Sequence, residues 1–219
     1  MPSAWLIGPL MIKSELVILM GSFLVGFLFF RLMSPYSKPE TKKRMDEVGN
    51  LFIVFVVSLW IGKIFTNFTT FIQDPLPILA YPSDSKAFYI AVGLSAIYGK
   101  FKIANGDRGV IDLLFAWLMV FFTASFTYGF IQMIVGTAVF SWQYLGLLVL
   151  LIILYILQQD RLSKETLVFF GIGCWSLGQW LLSIFSHTTI FQFNLSHWFY
   201  GVIFIASVVF IIFRKKVKQ

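Results

Sequence analysis

Long apolar runs separated by short polar stretches dominate this chain. LGLLVLLIILYIL and WFYGVIFIASVVFIIF each continue without a charged residue. A membrane-barrel strand would alternate apolar and polar side chains over about ten residues, and no such alternation is present. Backbone polar groups in lipid must be satisfied within the segment, so continuous runs of this kind predict helices. A helix needs about 20 mostly apolar residues to cross the hydrocarbon core. Seven segments are candidates: 15–33, 50–72, 87–103, 109–135, 141–158, 166–186 and 195–213. The third has only a short uninterrupted core, Ala87 to Tyr98, and relies on Lys100 and Lys102 snorkelling at its end. The longest links are 34–49, polar and charged, and 73–86. Pro75, Pro77 and Pro82 forbid a regular helix through the second, whose centre LPILAY is still apolar. That combination suits the membrane surface or a short re-entrant stretch. Residues 1–219 are therefore expected to form a single all-α transmembrane domain of about seven spans.

Composition agrees with lipid as the solvent. The chain is 58% hydrophobic and 12% charged, where a soluble domain carries about 25% charged residues. The first span is read as an uncleaved helix, because no basic region precedes it and RLMSPYSKPETKKR, without a small-residue cleavage site, follows it. Charge placement then sets the orientation. Of 17 Lys and Arg residues, fourteen fall after the first, third, fifth and seventh spans, two (Lys13 and Lys86) fall on the other side, and Lys63 lies within a span. The bias predicts an outside N-terminus and a cytoplasmic C-terminus. It also accounts for the net charge of +7 without a nucleic-acid partner, since these residues sit in short loops beside lipid headgroups. Cys174, the single cysteine, has no internal partner and reads as packing.

Polar groups inside spans need a reason, because their burial in hydrocarbon is costly. Lys63 is the clearest. It lies about 20 Å from the cytoplasmic start of the second span, in the outer half, either snorkelling outward or meeting an anionic lipid headgroup or acidic partner. Asn67 shares its helix face. Gln132, Gln143 and Gln179 read first as interhelical hydrogen-bonding groups. Lys13 and Glu15 flank the first span, and Asp112 opens the fourth, where a carboxylate favours a helix N-terminus. His187 and His197 have no metal-ligand spacing and no nearby acidic or Cys partner, so no metal is expected. No nucleophile, P-loop or redox motif is present, and no cofactor is implied.

The order of features goes further. IGPLMIKSELVILMGSFLVGFLF, IGKIFTNFTTFIQDPLPILAYPSDSKAFYIAVGL, GVIDLLFAWLMVFFTASFTYGFIQMIVG, LSKETLVFFGIGCWSLGQWLLSIFS and FNLSHWFYGVIFIA follow one another in an order, length and apolar pattern that resembles the bacterial prolipoprotein diacylglyceryl transferases over nearly the whole chain. The resemblance implies seven spans in a bacterial plasma membrane and a reaction moving a diacylglyceryl group from phosphatidylglycerol to a lipoprotein cysteine.

The chemistry departs from that family. Its signature arginine aligns with Phe126, its two asparagines with Gly129 and Gln132, and its glutamate with Ile134. In the sixth span its arginine aligns with Gln179 and its glutamate with Ser183; in the first its tyrosine aligns with Glu15, and a Gly-Gly becomes Asp84 and Ser85. Lys63, Tyr89 and Asp112 keep the family's chemical type. Transfer needs cations for a phosphate and a base for a thiol, and Gln, Phe and Ser supply neither. The resulting expectation is a degenerate member that binds phospholipid, phosphatidylglycerol among them, or lipoprotein, with Lys63, Tyr89, Asn67, Gln132 and Gln179 as candidate lipid-binding residues. An active transferase with relocated residues and a small transporter are the alternatives.

Overall fold

The computed structural model describes the backbone of residues 4–7, 10–75, 83–103, 106–135, 142–185 and 189–217, and side chains from 13 to 212 within those stretches, except 102, 103, 107 and 108. A hairpin of β1 (Ala4–Ile7) and β2 (Leu10–Lys13) leads into α1 (Ser14–Met33). Then come α2 (Lys38–Thr66), α3 (Phe68–Gln73), α4 (Ser85–Tyr98) with a π-helical turn Gly99–Ile103, α5 (Gly106–Val135), α6 (Trp142–Gln158) and α7 (Lys164–Phe185). A second hairpin, β3 (Thr189–Ile190) with β4 (Phe193–Asn194), precedes α8 (His197–Val217).

Four helices are long and apolar enough to cross a membrane: α1, α2, α5 from Gly109, and α7. The apolar parts of α6 and α8 are shorter. The outward faces of α1 and α8 are apolar, with Met20, Leu24, Leu28, Leu32, Val202 and Ile205 all exposed. Such a surface suits lipid and not water, and it marks a membrane-spanning protein.

The helical class holds, with two short antiparallel hairpins beside the helices; strands of two to four residues are too short to show an alternating pattern. One expectation is corrected. The second segment begins far earlier than residue 50. Lys38 opens α2, so the polar link after α1 shrinks to 34–37. Pro39 sits in the first turn, where its missing N–H is harmless, and Glu40 beside it suits the helix dipole. The segment also stops earlier. At Asn67 the backbone leaves helical geometry, and Asn67 returns both its N–H and its Nδ2 to the Lys63 carbonyl, each at 3.1 Å. The proline-rich stretch 76–82 lies outside the described residues, as does His187.

α5 is the axis of the bundle. Nearly every residue from Leu113 to Gln132 is buried or half-buried on it, against α1, α2, α6 and α7. α4 lies along α2, and α8 along α7. Two crossings depend on glycine. A Cβ on Gly26 would lie 2.7 Å from the Val120 carbonyl oxygen, and one on Gly62 would lie 2.8 Å from that of Ala87. Backbones approach this closely in membranes because no hydrophobic force drives helix association there, leaving van der Waals contact to do so.

Replacing Gly62 by Leu should therefore push α4 off α2 and lower the melting temperature of detergent-solubilised protein by several degrees or abolish folding. Gly21→Leu, where nothing lies within 4 Å of the added Cβ, should leave it nearly unchanged. Equal melting of the two variants would show that the Gly62 crossing does not hold the helices.

Candidate functional site

Polar side chains gather in three places. At one end of the bundle, the α1–α2 link and the starts of α2, α5 and α7 meet around Asp112. Tyr36 Oη donates to Asp112 Oδ1 at 2.8 Å, and Arg44 Nη2 donates to Oδ2 at 3.2 Å. Arg44 Nη1 reaches Glu47 Oε2 at 2.7 Å, and Lys164 Nζ lies 3.6 Å from Asp112 Oδ1 and 3.7 Å from the centre of the Tyr36 ring. The Arg44 side chain is only 8% exposed. A guanidinium so enclosed persists only when carboxylates and hydrogen bonds answer it, and Glu47 and Asp112 do so. Burial, followed by the hydrogen bond to Asp112 and its negative charge, pushes the Tyr36 hydroxyl well above the usual tyrosine range. Tyr36 therefore stays a proton donor to Asp112 through the alkaline range. Asp112 was legible as a helix-opening carboxylate; its three partners were not, because each comes from a distant part of the chain.

The opposite end holds Lys63. It is half-buried at the α2–α4 crossing, one residue past Gly62, and the carboxylate facing it belongs to Asp84. Asp84 is fixed as the cap of α4, accepting from the Ala87 N–H at 2.8 Å. No carboxylate of a neighbouring span is needed, because a helix cap brings one. Asn67 is exposed and bound to its own helix end. Tyr89 stands on α4, where its Oη accepts from the Ser196 N–H at 2.9 Å and its ring stacks on Phe199 at 5.0 Å. That contact pins the start of α8 to α4.

The third place is inside the bundle. Gln132 is buried on α5 and donates from Nε2 to Tyr128 Oη at 3.0 Å. Gln179 is fully buried on α7. The Tyr144 hydroxyl of α6 faces Gln179 together with Ser125 of α5 and Trp175 of α7. The five candidates take part in three sets of contacts among the described residues. Lys63 and Asn67 share a helix end, Tyr89 ties α4 to α8, and the two glutamines enter separate polar contacts of the interior. Tyr144, Ser125 and Trp175 carried no sequence signal, since Tyr, Ser and Trp are common in spans of any role.

The β3–β4 hairpin closes this interior. Its tip residue Phe191 has φ 53°, a left-handed conformation rare for a bulky side chain. The ring packs against Phe23 of α1 at 5.2 Å and against Phe121 and Tyr128 of α5 at 6.0 and 5.5 Å. Tyr128 and Phe121 lie about 10 and 20 Å along α5 from Val135, at 1.5 Å per residue, so the hairpin reaches well into the bundle. Phe193 meanwhile packs on Phe88 of α4 at 4.7 Å.

Comparison of the chain with protein-family models, curated proteins and solved structures yields no match.

Proposed function

We propose that this chain is a seven-span protein of the bacterial plasma membrane, with its N-terminus outside, that binds anionic phospholipid at Lys63. We further propose that it has the fold of the prolipoprotein diacylglyceryl transferases without their activity. Helix direction supports the span count. Asp112 gathers the end of α1 and the starts of α2, α5 and α7 at one end, and Tyr155 Oη joins the end of α6 to Leu167 there at 2.8 Å. The Gly62–Ala87 crossing and the Tyr89–Ser196 bond place the starts of α4 and α8 at the other. Successive helices alternate in direction, and Lys38, Lys42, Lys43, Arg44 and Lys164 collect at the Asp112 end. A basic end of this kind faces the cytoplasm.

The binding role rests on one observation: a lysine at the outer end of an apolar helix, beside a tight helix crossing. An ammonium there offers a point charge and three donors, enough to hold a phosphate. Phosphatidylglycerol is the source to which the family resemblance points. Loss of transfer chemistry is supported at the aligned positions. Phe126 stacks on Phe130, Gln132 bonds to Tyr128, and Ser183 donates to the Trp180 carbonyl of its own helix. None of these is a strong cation or base.

Single cysteines introduced after Cys174→Ala test the spans in intact cells. Those at Ser37 and Ser163 should resist an impermeant reagent, and those at Ser83 and Ser196 should label. Outside labelling at Ser163 would refute the seven-span arrangement. For the headgroup, Lys63→Met should lose co-purified phosphatidylglycerol and the rise in melting temperature that added phosphatidylglycerol gives; an unchanged lipid content and response would reduce Lys63 to a snorkelling residue. Lost activity is checked by complementation. Expression in cells depleted of their diacylglyceryl transferase should not restore growth, and rescue with mature lipoproteins would reinstate the active enzyme.

A further inference from the structure

Asp84 takes part in two structures at once. As the N-cap of α4, its Oδ1 accepts the Ala87 N–H at 2.8 Å. Ala87 is also the residue on which α2 rests, since a Cβ on Gly62 would lie 2.9 Å from the Ala87 Cα. Lys63 follows Gly62 directly and is half-buried at the same crossing. The hydrogen bond to Ala87 thus fastens an exposed carboxylate to the α2–α4 contact, where it faces the lysine.

Capping alone does not call for that charge. A cap needs only a side-chain oxygen, and asparagine or serine supplies one as well as aspartate does. What Asp84 adds is a full negative charge beside a lysine. The attraction between such partly exposed groups is weak, but any anion arriving at Lys63 meets the same charge as a repulsion. Asp84 cannot swing clear to make room while it holds the Ala87 N–H. Lys63 has three rotatable donors, so it can meet an arriving phosphate while the carboxylate stays where it is.

We propose that Asp84 is the resident counter-ion of Lys63, so that an anionic headgroup binds there only in competition with it. The capping carboxylate then sets how tightly the headgroup is held and keeps it exchangeable with the surrounding lipid. Asp84 acts through Lys63 and is a positioning residue, and its role rests on the reading of Lys63 as a headgroup site.

Thermal unfolding of the purified chain in detergent, titrated with dioctanoyl phosphatidylglycerol, tests this. Asp84→Asn keeps the capping oxygen and removes the charge. Without lipid it should melt near the wild type, and its melting temperature should respond at a phosphatidylglycerol concentration about two- to fivefold lower, the factor one partly exposed charge is worth. Asp84→Ala removes cap and charge together. It should melt below the wild type without lipid and still show the same gain in response, whereas a purely structural role would leave Asp84→Asn at the wild-type concentration. On a Lys63→Met background, Asp84→Asn should produce no gain. If Asp84→Asn does not fold, Asp84→Ser takes its place as a second uncharged cap. A wild-type response in the uncharged cap variant, with the response still lost in Lys63→Met, would overturn the role of Asp84 and leave the Lys63 reading standing. A response that survives in Lys63→Met would overturn both.

Discussion

Everything in this fold follows from the lack of water around its helices. A polar group that would be harmless on a soluble surface must here be answered by the protein or placed at an end. Arg44 shows the constraint most clearly. Its guanidinium is almost wholly enclosed in the folded chain, where Glu47 and Asp112 together answer it. Removing one partner of such a buried ion pair typically costs on the order of 3–5 kcal/mol, a large part of any domain's net stability. The same contacts bring four helix termini together, so charge compensation and helix registration are a single event at that end.

Away from the ends the constraint acts through backbone and ring. Gly26 and Gly62 let main chains meet where side chains would hold them apart. Elsewhere the interior is filled by aromatic rings, in a chain with 26 phenylalanines. Phe121 alone touches Trp117, Phe122, Trp175 and Phe191. The β3–β4 hairpin belongs to this logic. Non-helical backbone at membrane depth is tolerated only where protein covers it or it lines a polar cavity. Here α1, α4 and α5 cover it through Phe23, Phe88 and Tyr128.

Much of the helical layout was legible in the apolar runs. Segments expected at 15–33, 109–135, 141–158 and 166–186 lie within a few residues of α1, α5, α6 and α7, because continuous hydropathy and helical length report the same thing in lipid. Where hydropathy is silent, the boundaries moved. Residues 38–49 are polar, yet they are helical because Glu40, Lys43, Arg44 and Glu47 pair along one face, a local stabilisation that an apolar count ignores. Lys63 stood out because a cation inside an apolar run is rare. Tyr144, Ser125 and Trp175 did not, because what distinguishes them is convergence, and three residues on three helices share no spacing in sequence. The hairpin was hidden for a related reason: TIFQFN contains the apolar residues of a core but not the length of any element.

The chain order of the Asp112 network bears on how the molecule is made. Tyr36 and Arg44 precede Asp112, while Lys164 follows it by two helices. As the chain emerges from the ribosome, the buried arginine waits through α4 for its interhelical carboxylate, held until then by Glu47, three residues away on the same helix. Once α5 enters, α1, α2 and α5 can lock together, with Gly26 already facing Val120. Lys164 arrives last, with α7, over a ring and a carboxylate already in place. The network around Asp112 is thus filled in chain order and is complete only when α7 has entered, and the core that α6, α7 and α8 share with α5 closes after it.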